Sequence, residues 1–259
     1  METVILMEQN ERKQKILELL EKNGSVEVTE LSRFFKISEV TVRTYLADLE
    51  AKGLLSRVHG GAISSYKPYY SMNLGQRLNT NQTEKLKIAK AVAEMVDDKD
   101  TIMLNSGTTT LLVFRSLPTN YNLNIVTNSV AIALEAADIQ NFNVCLLGGY
   151  VNSKYQFSYG DDAIEQLKKY HADKLILSVD GIDTHSGFTT YYDKEAAIDR
   201  TMIEQSEICI VAADTTKFGR TAFAKISPSD VADFIVTDNS LSDDVFNNLT
   251  ALGVDIKKA

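Results

Sequence analysis

The chain has 259 residues, 44% hydrophobic and 24% charged, with only 3 prolines, a balance that excludes disordered and fibrous classes and fits one or two globular domains. A formal charge of −8 excludes a general nucleic-acid coat, so any DNA contact has to come from a local basic face. No apolar run approaches the ~18 residues that span a bilayer, and Val4 to Met7 is too short for a signal-peptide core, so a cytoplasmic protein without a membrane partner is expected.

Residues 8–23 read as a helix capped by Asn10, with Ile16, Leu17, Leu19 and Leu20 on one face and Gly24 at its end. Val26 and Val28 predict a short extended piece. Thr29 is positioned to cap a second helix that turns Leu31, Phe34 and Phe35 inward. Ser38 is positioned to cap a third, running to Lys52 and stopping at Gly53. In it Val42, Tyr45, Leu46 and Leu49 recur at i, i+3, i+4 and i+7, the period of a core-facing stripe. Residues 54–58 then read as a strand and His59-Gly60-Gly61-Ala62 as a turn.

Three short helices followed by a hairpin form the winged helix-turn-helix pattern, and the same pattern also describes a generic small helical domain. From Arg33 to Ala62 five basic residues (Arg33, Lys36, Arg43, Lys52, Arg57) stand against three acidic ones (Glu39, Asp48, Glu50), so the local balance is positive. The outward face of the third helix carries Glu39, Val40, Arg43, Thr44 and Ala47. Arg43 is the residue there able to make a bidentate guanine contact.

Residues 64–83 are polar, contain Pro68 and lack periodicity, and so read as a domain linker. Thr83 would cap the next helix, with Ile88, Ala89, Val92, Met95 and Val96 inward. From Asp100 onward strands and helices alternate. Strands are expected at 101–104, 124–127, 143–147, 175–179, 208–212, 234–237 and 254–256, with helices at 130–137, 161–169, 195–205 and 243–252. Near-continuous apolar strands with helical crossovers predict an α/β domain built on a mostly parallel sheet covered on both faces. Cys145 and Cys209 lie within such strands as buried free thiols, without metal-ligand spacing.

Ligands of such sheets bind beyond the carboxyl ends of the strands. The first of those ends, Asn105-Ser106-Gly107-Thr108-Thr109-Thr110, is a small polar loop opening a helix. Unpaired backbone N–H groups and the positive end of the helix dipole make that an anion site, although a simple βα turn has the same residues. The other ends supply Thr127-Asn128-Ser129, Gly148-Gly149, Asp180 to Asp183, and Asp214 to Gly219 with Lys217. Amides, hydroxyls and carboxylates beside a lysine suit a phosphorylated polyol.

Taken together, these residues resemble the DeoR family of bacterial transcriptional regulators over essentially the whole chain. The amino-terminal match runs from Arg12, Ile16 and Leu19 through Phe35-x-Ile37-Ser38-x-x-Thr41-Val42-Arg43, Leu46-x-x-Leu49-Glu50 and Gly53-x-Leu55-x-Arg57 to His59-Gly60-Gly61-Ala62. The carboxy-terminal match comprises Glu84-Lys85, Ile88-Ala89, Ser106-Gly107-Thr108-Thr109, Val126-Thr127-Asn128, Leu147-Gly148-Gly149 and Lys217-Phe218-Gly219. The resemblance implies a winged helix-turn-helix domain over 1–63 that binds double-stranded operator DNA through Ser38, Glu39, Thr41, Arg43, Thr44, Arg57, His59 and Gly60. It further implies, over 84–259, an effector and oligomerisation domain related in fold to ribose-5-phosphate isomerase. Its phosphorylated sugar effector would meet Ser106, Gly107, Thr108, Thr109 and Lys217 through the phosphate. Asn105, Thr127, Asn128, Gly148, Gly149, Asp180, Asp183 and Glu195 would line the rest. A repressor of a sugar or polyol catabolic operon is the expected function, with no metal, cofactor or catalytic residue.

Arg43-Thr44-Tyr45-Leu46 departs from the family's usual Arg-Arg-Asp-Leu, Asn105 stands where an acid is common, and Thr216-Lys217 replaces Ser-Lys. A dimer or tetramer is expected, because one small winged domain buries too little DNA surface for tight binding. Two alternatives stand beside this reading. One is a protein-interaction module. The other is an isomerase-like enzyme, with Asp180-Gly181-Ile182-Asp183 resembling an isomerase segment and Glu195 as general base; the isomerase's Gly-rich, lysine-containing segment has no match.

Overall fold

The computed structural model describes residues 9–23, 25–51, 54–64 and 72–259. They fall into two compact units, Met1–Met72 and Asn73–Ala259. The expected helix ends at Gly24, Lys52 and Gly53, and the stretches around Val4 and Pro68, lie outside the described residues.

In the first unit α1 (Gln9–Asn23), α2 (Val28–Phe35) and α3 (Glu39–Ala51) pack with β1 (Ser25–Glu27), β2 (Leu55–Val58) and β3 (Gly61–Ser64). Ile16, Leu20, Leu31, Phe35, Val42, Tyr45, Leu46 and Leu49 from the helices close on Val26, Leu55 and Ala62 from the sheet. The strands pair antiparallel in the order β1-β3-β2, so the hairpin is anchored by the piece preceding α2. Thr29 is not a cap. The chain runs from β1 straight into α2, Glu27 holds the cap position, and the Val28 N–H goes to the Gly60 carbonyl at 2.8 Å. Lys36 turns the chain out of α2 in the left-handed conformation (φ 53°). Ser38 caps α3 as expected, its Oγ accepting the Thr41 N–H at 3.1 Å.

The second unit opens with α4 (Leu74–Asn79) and α5 (Gln82–Ala93). It is built on seven strands: β4 (Thr101–Leu104), β5 (Leu123–Thr127), β6 (Phe142–Leu146), β9 (Ala172–Leu177), β12 (Ser206–Ala212), β14 (Phe234–Thr237) and β15 (Asp255–Lys258). They form one sheet in the order β15-β14-β12-β9-β4-β5-β6, every adjacent pair parallel. These are the seven strands expected from the apolar runs. Alternate residues serve two cores. Ile102, Leu104, Ile125 and Ile176 face α5, α6 (Thr108–Ser116) and α7 (Val130–Ala136). Met103, Val126, Leu175 and Leu177 face α8 (Asp161–Leu167), α9 (Asp193–Glu204) and α10 (Asp243–Thr250).

The fold corrects three sequence expectations. The stretch 64–83 is not linker throughout. Asn73 caps α4 in a capping box with Gln76, and Leu74 and Arg77 are buried, so the second unit begins at Asn73. Thr83 lies inside α5, whose cap position is held by Asn81 in the left-handed conformation. Two small antiparallel sheets also join the unit: the hairpin β7 (Tyr150–Asn152) with β8 (Phe157–Tyr159), and β10 (Gly181–Asp183), β11 (Gly187–Thr190) and β13 (Ala224–Ser227). Strands of three or four residues are too short to show periodicity. Cys209 is buried as expected, whereas Cys145 is half-buried and its thiol donates to the Tyr170 hydroxyl at 3.4 Å.

Asn73→Ala removes the side-chain half of the capping box, the bond its Oδ1 accepts from the Gln76 N–H at 2.9 Å. The midpoint of urea unfolding should fall by an amount equivalent to about 1 kcal/mol.

Candidate effector site and DNA-binding face

The outward face of α3 is the one expected. Val40, Arg43 and Thr44 are exposed and Glu39 and Ala47 half-exposed, while Val42, Tyr45, Leu46 and Leu49 are buried. Arg43 is held by Glu39 one turn back at 2.9 Å, and the Thr44 hydroxyl donates to the Val40 carbonyl. Tyr45, where the family commonly has an acid, is a core residue under the Lys13 ammonium, which lies 5.6 Å from its ring centre and 2.6 Å from Asp48. On the hairpin, Glu50 grips Arg57 twice, accepting from its backbone N–H at 2.8 Å and its Nε at 2.7 Å. His59 and Gly60 form the exposed turn, Gly60 at φ 83°.

In the second unit a chain of contacts runs along the carboxyl ends of the parallel strands. Past β4, the Ser106 hydroxyl donates to Glu195 at 2.6 Å. The other Glu195 oxygen accepts the Thr190 hydroxyl at 2.6 Å, and Thr190 also reaches Asp180 at 3.4 Å. Asp180, past β9, further accepts the Tyr191 N–H at 3.0 Å and the Arg77 guanidinium at 3.4 Å. Its Oδ1 lies 4.0 Å from Lys217 Nζ, which comes from the loop past β12. In that loop Asp214 takes the Thr216 hydroxyl and the Asn81 amide. Thus Ser106, Asp180, Glu195 and Lys217 come together. Thr108 and Thr109 follow them as the buried first residues of α6, whose first helical bond is Leu111 N–H to Gly107 carbonyl.

Other predicted residues are spent inside the protein. Asn105 is fully buried; its amide donates to the Ser178 carbonyl and to Asp199 and accepts the Ser178 N–H, so it positions the strand ends and is not free to read hydroxyls. Thr127 straps β5 to β4 through the Leu104 carbonyl at 2.7 Å and receives the Ser129 N–H. Asn128 donates to the Ser158 carbonyl, its own oxygen buried without a partner. The Gly148 N–H goes to Gln166, and Gly149 (φ 129°) lies where a Cβ would meet the Tyr159 carbonyl at 2.5 Å, so this pair shapes the corner into the β7–β8 hairpin. Asp183 holds the β10–β11 turn through the His185 and Ser186 N–H groups. Gly107 is extended, and a Cβ there would lie 2.7 Å from the Ser178 Cβ; close packing of the strand ends requires this glycine.

Three buried residues escaped the sequence reading, Arg77, Asp199 and Arg220, and Lys85 entered it only as part of the family match, with no role. Lys85 had a signal. It lies with Ile88, Ala89 and Val92 on the inward stripe of α5, a charge on an apolar face, and its ammonium donates to the Arg77 carbonyl at 2.8 Å. Arg77 had none, since nothing local marks a pocket residue inside a polar stretch. Burial and then the Asp180 charge push Glu195 up to about 7, against the Ser106 and Thr190 bonds. Asp199 is likewise raised, by burial and then by Glu195. Burial lowers Lys217 to about 8 despite Asp180 and Asp214. Burial also acts to raise Asp214, but Lys217 and Lys85 more than offset it and hold that carboxyl low. With two of the four carboxylates shifted toward neutrality, Arg77, Lys85, Lys217 and Arg220 leave the site with an excess of positive charge, suited to an anion.

Residues 80–239 match the DeoR C terminal sensor domain, and residues 12–67 the DeoR-like helix-turn-helix domain. The chain belongs to the DeoR family. Relatives include the lactose phosphotransferase system repressor of Lactococcus lactis, 32% identical over 91% of this chain and 93% of that protein. The transcriptional repressor GlcR of Bacillus subtilis is 31% identical over 90% and 89%. The glycerol-3-phosphate regulon repressor of Escherichia coli K12 is 31% identical over 90% and 92%. Among solved structures, ribose 5-phosphate isomerase A from Methanocaldococcus jannaschii shows a partial likeness, at TM-score 0.41 and 17% identity over 54% of this chain and 55% of that one. This DeoR-family protein is therefore a DNA-binding transcriptional regulator, a helix-turn-helix domain followed by a sensor domain. Among the described residues no helix is long and apolar enough to cross a membrane.

Two measurements check the site. Thr127→Val leaves the Leu104 carbonyl and the Ser129 N–H without their partner and should cost about 1–3 kcal/mol in urea unfolding. The second concerns pH. Folded Glu195 holds its proton up to about 7, whereas the unfolded chain releases it near the ordinary 4.5. Stability therefore falls as pH rises from about 4.5 to about 7, and this group contributes no further slope above. Glu195→Gln should remove that share of the slope, on the order of 3 kcal/mol at most, in unfolding curves taken from pH 5 to 8.

Proposed function

We propose that this regulator represses an operon for sugar or polyol catabolism and is released from its operator by a phosphorylated sugar. The observation that carries the reading is the meeting of Lys217, Arg77, Asp180, Glu195 and Ser106 at the strand ends beside the first turn of α6. A phosphate there has ammonium and guanidinium groups and the amides opening α6 as donors. Asp180, Thr190 and Glu195 are placed to take sugar hydroxyls. The repressor names of the relatives support the operon type, and two of them name a phosphorylated or phosphotransferase-delivered compound. On the DNA side we assign base contact to Arg43 and phosphate contact to Arg57, with Ser38, Glu39, Thr41, Thr44, His59 and Gly60 around them. We also propose a dimer or tetramer assembled through residues 73–259, which sets two winged domains on two half-sites.

A thermal-shift screen of phosphorylated sugars, followed by operator release measured by fluorescence anisotropy, tests the reading. Lys217→Ala should lose ten- to a hundredfold in effector affinity while still binding operator. Because the ammonium is the anion-binding form and titrates near 8, wild-type affinity should fall as pH rises through about 8. Lys217→Arg, charged throughout, should flatten that fall.

Arg43→Ala should lose about 1–3 kcal/mol of specific operator binding without loss of fold. Arg57→Ala should lower the salt slope by about 1 for any DNA. The isomerase alternative has one observation in its favour, a Glu195 carboxyl near 7. Turnover of a sugar phosphate that disappears in Glu195→Gln would establish it instead.

A further inference from the structure

Resting on the effector site proposed above, we infer that Arg77 is both a second cation for the effector phosphate and the positioning residue that ties α4 to that site. The α4 helix is the first element after residues 65–71, which lead from β3 of the winged unit. Six residues are too few for a helix to persist by itself, so tertiary contacts impose its place. Leu74 is buried and its N–H donates to the Lys154 carbonyl at 3.2 Å. The Arg77 carbonyl takes the buried Lys85 ammonium at 2.8 Å.

The Arg77 side chain carries α4 into the pocket. Its guanidinium stacks on the Tyr155 ring at 4.2 Å, reaches the Tyr155 hydroxyl at 3.3 Å, and stands 3.4 Å from Asp180 Oδ1. Lys217 lies 4.0 Å from that same oxygen. Arg77 and Lys217 thus flank one carboxylate, and an anion placed between them engages both. The 3.4 Å contact to Asp180 is long for a charge-assisted bond, and a phosphate offers the guanidinium a planar, two-bond partner in its place. Phosphate binding then anchors α4 more firmly against the sensor unit.

The test uses the full chain and inorganic phosphate as probe, against sodium chloride at matched ionic strength. In wild type, phosphate should raise the melting temperature and slow hydrogen exchange over residues 74–79 threefold or more. Arg77→Met should abolish both responses and speed exchange there without ligand. Arg77→Lys should recover part of each effect. Lys217→Met should lose the phosphate response, and Arg115→Met, which breaks an exposed ion pair with Glu135, should match wild type throughout. Absence of any phosphate response in wild type overturns the effector site and this inference with it. A wild-type response that Arg77→Met retains, or wild-type exchange over residues 74–79 in Arg77→Met without ligand, overturns the inference about Arg77 alone.

Discussion

Asp180 is a carboxylate kept at 8% exposure, and charge cannot stay out of water without compensation nearby. The surroundings of the site follow from that constraint. A backbone N–H from Tyr191, a hydroxyl from Thr190, and the cations Arg77 and Lys217 converge on its two oxygens from three separate segments. The same negative charge discourages a second ionised carboxylate close by, and Glu195 is pushed toward neutrality. With Glu195 and Asp199 both pushed toward their neutral forms, Asp180 and Asp214 are the carboxylates left to face the buried cations Arg77, Lys85, Lys217 and Arg220.

A buried cluster of this kind suits a sensor better than a scaffold. Ion pairs in the interior add little net stability over apolar packing, because desolvation consumes most of their attraction. In the proposed effector site their use lies in being exchangeable, a phosphate taking the place of carboxylate partners that are already present. The oxygens of Asp199 and Asp214 that are buried without a partner sit in the same region and mark it as polar space. The winged unit is organised differently. Its core is apolar, its charges lie outside, and Glu39 and Glu50 hold Arg43 and Arg57 in place before any DNA arrives. Tyr45 belongs to that core, buried under Lys13. The proposed recognition face on α3 carries a single arginine, Arg43.

Much of the architecture was legible in the sequence. Period-3.6 stripes placed α1, α2 and α3, and seven apolar runs placed the seven parallel strands, because burial on one or both faces leaves a regular mark on residue order. Parallel strands put their carboxyl ends on one rim by necessity, so the loops that meet there could be named without coordinates. Ser106, Asp180 and Lys217 were named that way, whereas Glu195, on α9, came from the resemblance. Which loop residues are available to a ligand was a different matter. Asn105, Thr127, Asn128, Gly148, Gly149 and Asp183 have the right chemistry, yet their polar groups or close contacts serve neighbouring strands and turns. Sequence carries residue type, whereas hydrogen-bond partners more than twenty positions away are settled by packing. The same holds for Arg77. In the sequence it is one arginine in a polar stretch; only the tertiary structure brings it to a carboxylate 103 residues away, because α4 docks by contacts that no local pattern encodes.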